Sequence, residues 1–468
     1  MISNTTDDSE FHWKCQPEAD ALQRRLVRDI CEVSEFASKL QAQMLAQTGT
    51  RLIDWVDHLS IKNDTKVDGQ PIQELLTGTG FRQIHTDEDG EWYTHSGGLF
   101  APVCVDQNPK HRLVVRVERV DDFLAANQMQ NRPIQGDRAT QFRRSHVAAE
   151  DACDVWVCER HGFQGWQGVA DNCSVERRLK SGQHYESFKL RQRECRSDER
   201  AFQILKELTT HAIEDLGRDW ACDLFFAAER DYWQRRNRAA RIQKDRQDQL
   251  GLGWANHDHH TYRSSRQGFA SLIEVLELMG FYCRERFYAG EQAGWGAQVL
   301  EHPVCGIVVF ADVDLSPAEL AGDFAHNGLT DRDTLGTVGL WCQLHGEAIL
   351  QAGMHHLECT FEFDEARRQL ADAGVSTMTP FTDFNFLRQA FTTGEVWTVA
   401  PERVEQAVRT GALSRDEAER FLRVGSVGSH LEILERNEGF KGFNQTGVSD
   451  IILKTDPRRL KTGSDPTN

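Results

Sequence analysis

Of the eighteen histidines in the chain, five fall in two tight groups: His257, His259 and His260, and further on His355 and His356. Imidazoles grouped in this way are common ligands of transition metals. Each group opens a stretch that alternates like a β-strand, and neighbouring side chains on a strand point to opposite faces. At most one histidine of each adjacent pair can therefore face a shared cavity, either His259 or His260 and either His355 or His356. A later strand pattern, Ser429-His-Leu-Glu-Ile-Leu-Glu-Arg436, offers Glu432 or Glu435 as a carboxylate. Two histidines and one carboxylate leave coordination positions open for a bidentate ligand and O₂. That set suits non-haem Fe(II) better than a closed structural zinc site. A single histidine is more often a core residue bonded to backbone, but two groups at equivalent places in a repeated pattern weigh against that reading.

Other sources of chemistry are sparse. There is no Walker A loop, no HExxH and no GxSxG, and the glycines at 290–296 do not form a dinucleotide fingerprint. The twelve cysteines are scattered singly without a CxxC pair, as reduced thiols would be. Cys153, Cys158, His161 and Cys173 lie close in sequence, but their spacing fits none of the common zinc patterns, and they read as ordinary thiols and a histidine.

The elements that must position these residues follow from periodicity. At 468 residues and 39% hydrophobic content the chain supports at least two cores. Apolar residues three or four apart from Leu22 to Met44 predict a helix over 17–48. Leu52 to Ile61 reads as a strand that opens a small α+β unit reaching 127. Residues 128–200 are polar and mixed, and 199–250 read as long helices. Seven basic residues between 230 and 246 are interleaved with Glu229, Asp231, Asp245 and Asp248, which predicts a solvated helix on a neighbouring domain rather than a nucleic-acid stripe. From Trp254 the order is strand, helix (269–279), then three strands, and the order restarts near 350 with an insertion around 384–428. The expected fold is α+β, with paired βαβββ modules behind a helical and mixed N-terminal region. The expected divisions are 1–127, 128–250, 251–458 and a polar tail, 459–468.

Several short pieces in the second half resemble one family in the same order. His259-His-Thr-Tyr-Arg263 has the His-x-x-x-Arg spacing of the HGAIR motif of the 2-oxoadipate dioxygenase/decarboxylase (2-hydroxyglutarate synthase) family, a divergent relative of the vicinal-oxygen-chelate fold. His356-Leu357 resembles its NHLT strand, Leu387-Arg388-Gln389 its LRQ segment, Gly428-Ser429-His430 its GSH element, and Glu432-Ile433-x-x-Arg436 its EIxxR element. The similarity covers about 254–455. It departs from the family where Gly-Ala-Ile becomes His-Thr-Tyr, where His355 replaces Asn, and where Pro-Lys-Gly becomes Phe440-Lys441-Gly442.

The resemblance implies Fe(II) held by His259, His356 and Glu432, and a 2-oxo acid such as 2-oxoadipate that reacts with O₂ to give a 2-hydroxy acid and CO₂. It also implies substrate contacts from Arg263, Arg388, Gln389 and Ser429. Arg263 stands about 13 Å along the strand from His259 on the same face, where its planar fork could meet the far carboxylate of a short diacid. A surface salt bridge is the competing role for Arg263. A Zn, Ni or Mn isomerase or lyase, or a binding protein without turnover, are the alternative functions. The net charge of −18 disfavours nucleic acid or an anionic membrane as partner, the start of the chain lacks a signal pattern, and a cytoplasmic enzyme is expected.

Overall fold

The computed structural model describes residues 13–166, 173–332, 334–444 and 456–458. The first dozen residues and the 459–468 tail lie outside the described residues. Among those described, no helix is long and apolar enough to cross a membrane.

The helix expected over 17–48 is two helices, Pro17–Val33 and Glu35–Thr48. Ser34 breaks it: its backbone is extended (φ −122°, ψ 110°), and its hydroxyl accepts the Ala37 N–H to cap the second helix. The expected strand from Leu52 starts later, because Leu52–Trp55 winds into a 3₁₀ turn before the strand Val56–Lys62.

That strand begins an eight-stranded sheet. Strand Val56–Lys62, helix Ile72–Gly78 and strands Arg82–Thr86, Glu91–Thr94 and Val103–Asp106 form one βαβββ unit. Strand His111–Arg116, helix Val120–Ala126 and strands Ile134–Gln135, Phe142–Ala149 and Cys153–Arg160 form a second. In each unit the last strand pairs in parallel with the first, and the two first strands pair antiparallel in the middle of the sheet. The boundary expected at 127 is therefore wrong, since residues 134–160 complete this sheet. Their polar texture comes from charges that are buried in pairs: Arg143, 5% exposed, bonds Asp121 at 2.8 Å and Glu159 at 3.1 Å.

Four helices follow, Val175–Lys189, Asp198–Leu216, Arg218–Arg235 and Arg238–Asp248. The basic stretch keeps a solvated face, with Arg235, Arg238 and Arg241 exposed, and packs its other face on a neighbouring sheet, as expected. Phe225, Phe226, Arg230 and Trp233 are buried, and Phe226 meets the rings of His260 and Tyr262 on the outer face of the second sheet. These helices share one core with that sheet, so the unit expected at 251–458 extends upstream of 251.

The second sheet repeats the first. Strand His257–Arg263, helix Phe269–Leu278 and strands Tyr282–Tyr288, Trp295–Glu301 and Val308–Asp314 make one unit. Strand His356–Thr360, helix Phe363–Asp372 and strands Thr382–Phe384, Leu387–Phe391 and Ser426–Arg436 make the other, with Glu395–Trp397 as an additional edge. Again the first strands pair antiparallel, and each is parallel to the last strand of its unit. This is the expected paired βαβββ, vicinal-oxygen-chelate-like architecture, present twice in one chain. One close approach needs glycine: a Cβ at Gly428 would lie 2.0 Å from the Trp397 ring, so only glycine lets the last strand pass that side chain.

Candidate metal centre

The two central strands and the last strand of the second sheet bring three candidate ligands together. Thr261 pairs with His356, and His259 with Glu358, across the antiparallel centre, and Glu358 pairs with Glu432 on the last strand. Alternation turns His259, Thr261 and Arg263, His356 and Glu358, and His430 and Glu432 to the same inner face. His259, His356 and Glu432 each offer a ligand atom within 4.8 Å of the others, and all three are buried. His356 Nε2 lies 3.0 Å from Glu432 Oε2 and 2.8 Å from the Thr261 hydroxyl.

Acidic groups surround the other side of His259. Its Nδ1 is 3.0 Å from Glu358 Oε1 and 3.4 Å from Asp258 Oδ2. Burial opposes a charge on this ring, but Glu358 and Asp258 together raise its pKa to about 10. His356, buried beside that cation, is held well below the usual histidine range. Burial also raises both Glu358 and Glu432, and for Glu358 the neighbouring Glu432 charge adds to the effect. The Gln389 amide bridges the two carboxyls at 3.2 and 3.1 Å.

This donor set fits a divalent cation. Arg436 is committed to Asp258 through two 3.0 Å bonds and reaches Glu358 only at 3.7 Å. Glu358 Oε1 has no aligned hydrogen-bond donor although it is fully buried. Two buried carboxylates without a dedicated arginine are costly, and a cation between two imidazoles and a carboxylate would offset that cost.

The centre opens into a cavity of about 60 Å³. Phe287, Trp295, Phe310, Phe381, Phe391 and Phe443 supply apolar walls, and Gln389 and Arg263 the polar ones. This is room for a few waters. A six-carbon acid needs rim side chains to move. Arg263 is 3% exposed and, among the described residues, has no ion pair; its guanidinium faces the Trp341 ring at 5.7 Å. Asp312, opposite it on the neighbouring strand, is pushed by burial up to about 7. A salt bridge is therefore not what holds Arg263.

The structure separates the other expected residues. Gln389 faces the centre. Arg388 does not: alternation turns it outward, where it pairs with Asp364 at 2.7 Å and Asp383 at 2.9 Å. Ser429 is also on the far face, accepting a 2.8 Å bond from Asn237. Both side chains therefore point away from the metal centre, because one step along a strand reverses the face. His260 packs outward, 3.2 Å from Arg230. Glu435 accepts the Phe363 N–H at 2.9 Å and an Arg51 bond at 3.2 Å, away from the centre. His355 lies just before its strand, so alternation does not bind it, and its Nδ1 sits 3.0 Å from His356 Nδ1. Glu358 is the main residue missed, and the sequence held its signal: it stands two positions after His356 on the same strand. Cys153 and Cys158 face opposite sides of the first sheet, so the zinc grouping does not form.

No protein-family model matches the chain, and no curated protein matches it. Among solved structures, a variant of 4-hydroxymandelate synthase from Streptomyces coelicolor is 12% identical, spanning 87% of this chain and 99% of its own, with a TM-score of 0.28. Methylmalonyl-CoA epimerase from Mycobacterium tuberculosis is 13% identical over 39% of this chain and 88% of its own, with a TM-score of 0.22.

Proposed function

We propose that the protein is a non-haem Fe(II)-dependent dioxygenase/decarboxylase of 2-oxo acids, acting on a 2-oxo dicarboxylate such as 2-oxoadipate. The observation that carries this reading is the buried His259–His356–Glu432 triad opening on a cavity whose one unpaired cation, among the described residues, is Arg263. Bound there, Fe(II) would supply O₂ activation and chelation of the 2-oxo acid, and the oxidation gives a 2-hydroxy acid one carbon shorter plus CO₂, with both atoms of O₂ retained in these products.

The chain's own residues do the rest. Arg263 binds the distal carboxylate as a planar fork and sets the length of acid accepted. His355, whose Nδ1 lies 3.0 Å from His356 Nδ1, orients that ring and leaves its Nε2, 3.0 Å from Glu432, for the metal. Gln389 holds Glu358 and Glu432 in place, and the aromatic walls exclude water from the reacting end of the substrate.

A second reading rests on Glu358. A buried carboxyl with a raised pKa beside a candidate ligand is also what a Zn, Ni or Mn isomerase or lyase would use to move a proton. Metal content and O₂ consumption across a panel of 2-oxo acids separate the two. Fe(II)-dependent O₂ uptake with CO₂ release supports the dioxygenase, and turnover without O₂ uptake supports the isomerase or lyase. His356→Ala should lose the metal, and unchanged metal stoichiometry in that variant would refute the site.

A further inference from the structure

A cavity of about 670 Å³ lies between the two sheets, where the first strand of each begins. Its walls come from both halves of the chain, including Val56 to His58 on one side and Ala255 to Asp258 on the other.

Four aspartates and four arginines line it. Asp20 is held by Arg24 at 2.6 Å, Asp54 by Arg51 at 2.7 Å, Asp57 by Arg160 at 2.6 Å and Asp258 by Arg436 at 3.0 Å. Arg116, the last residue of strand His111–Arg116, also lines the cavity and is partly exposed to it. Among the described residues it makes no ion pair and no side-chain hydrogen bond. Two groups in its electrostatic range are already settled: Asp223 is taken by His161 at 2.8 Å, and burial with the charges of Arg230 and Arg116 keeps His257 neutral. Arg116 is thus the lining arginine without an ion pair among the described residues, in a chamber whose apolar walls include Ile84, Trp92, Leu99, Phe100 and Phe163.

We propose that this chamber is a second ligand site, distinct from the metal centre, which takes a small organic monocarboxylate with an apolar body. Arg116 pairs the carboxylate through its guanidinium fork, and the aromatic wall covers the body. The Asp258–Arg436 pair forms part of the same wall, so the ligand lies one ion pair from His259.

Isothermal titration of the intact protein with phenylacetate and hexanoate as probes, and with their uncharged amides, tests this. At least one acid should bind with a Kd on the order of millimolar or tighter, its amide at least roughly tenfold more weakly. Arg116→Gln should weaken the acid roughly ten- to hundredfold, whereas Arg116→Lys, which keeps the charge, should lose much less. His356→Ala should leave binding unchanged, because the metal centre is elsewhere. The proposal is overturned if neither acid binds, if the amides bind as well as the acids, or if Arg116→Gln binds like the wild type. It is equally overturned if His356→Ala abolishes binding, which would assign the acid to the metal centre. Should Arg116→Gln fail to fold, the acid–amide comparison and Arg116→Lys decide.

Discussion

Replacing Arg263 with methionine removes a guanidinium that is 3% exposed and unpaired among the described residues, while keeping a stem of similar length. Desolvating such a charge costs several kcal/mol after relaxation. Two features offset part of the cost: the Trp341 face at 5.7 Å, worth about 0.5–2 kcal/mol, and partial ionisation of Asp312 near neutral pH. The metal-free protein should therefore gain about 1–2 kcal/mol of stability on substitution. Turnover should move the other way. The lost charge-assisted bond to a distal carboxylate is worth about 1.5–3 kcal/mol, which raises KM roughly ten- to 150-fold for a dicarboxylate and far less for a monocarboxylate of the same length. Urea titration of the apo-protein, metal analysis, and O₂-uptake kinetics on both substrates measure the three quantities. A destabilisation of about 3 kcal/mol or more would mean that Arg263 is a structural charge whose partner was removed. Equal KM changes for the two acids would refute its role in length selection.

Three further outcomes follow from the same geometry. Glu432→Gln should abolish or sharply weaken metal binding, while Glu435→Gln, on the other face, should retain metal and most activity; the reverse result, read by metal stoichiometry, would shift the strand register by one residue. Arg388→Ala should leave kcat and KM within about twofold of wild type, since it loses outward-facing ion pairs, each worth under about 1 kcal/mol, and a stack on the Phe363 ring, all away from the metal centre. His161, opposed by burial but bonded to Asp223 and 3.7 Å from Glu159, is raised from 6.5 to about 10, so it contributes stability that is complete below pH 6.5 and lost as pH rises to 10. With a quarter of the side chain exposed, about 2 kcal/mol of the roughly 5 kcal/mol ceiling should be lost over that window. His161→Gln should flatten this slope in denaturant titrations at pH 6.5 and pH 10, and an unchanged slope would place the titration elsewhere.

The second sheet was legible because some of its strands are apolar runs, as in Cys305 to Asp312, and because period-two alternation assigns faces without knowledge of the fold. The same rule, applied strictly, excludes Arg388 and Ser429, which share the outward face with Leu431 and Ile433; the short family-like pieces around them pointed the other way. The first sheet was hidden for a different reason. Phe142–Ala149 carries Arg143, Arg144, Ser145 and His146, and only tertiary partners such as Glu159 and Asp121 make such a strand possible. Local pattern does not reveal a partner that arrives from a distant strand. The helices at 199–250 and their packing on a neighbour were visible, but the burial of Arg230 and Glu229 was not, because both look like surface residues until His260, Arg191 and Arg193 surround them.

The two sheets together explain why one metal site is expected rather than two. Each has a register shift at the same place in its central pair, between Val56 and His58 in the first and between His257 and His259 in the second. Counting onward from that shift sets His58 against His259, Ser60 against Thr261, Arg112 against His356 and Val114 against Glu358. On the last strands it sets Trp156 against Glu432. Only the first ligand position is still a histidine. The His58 ring is enclosed by Trp92 and Trp166 at 5.0 and 4.8 Å, and its Nδ1 is taken by Asp57 at 2.8 Å. Arg112 and Trp156 put a cation and an indole where a metal would need two donors, so the first sheet's interior is filled by side chains while the second keeps a cavity. Apolar packing stabilises the first sheet; the second retains buried carboxylates that are costly without a cation. The duplicated architecture thus keeps its polar cluster of candidate ligands in the second sheet, while the equivalent positions of the first are taken by residues that could not bind a metal together.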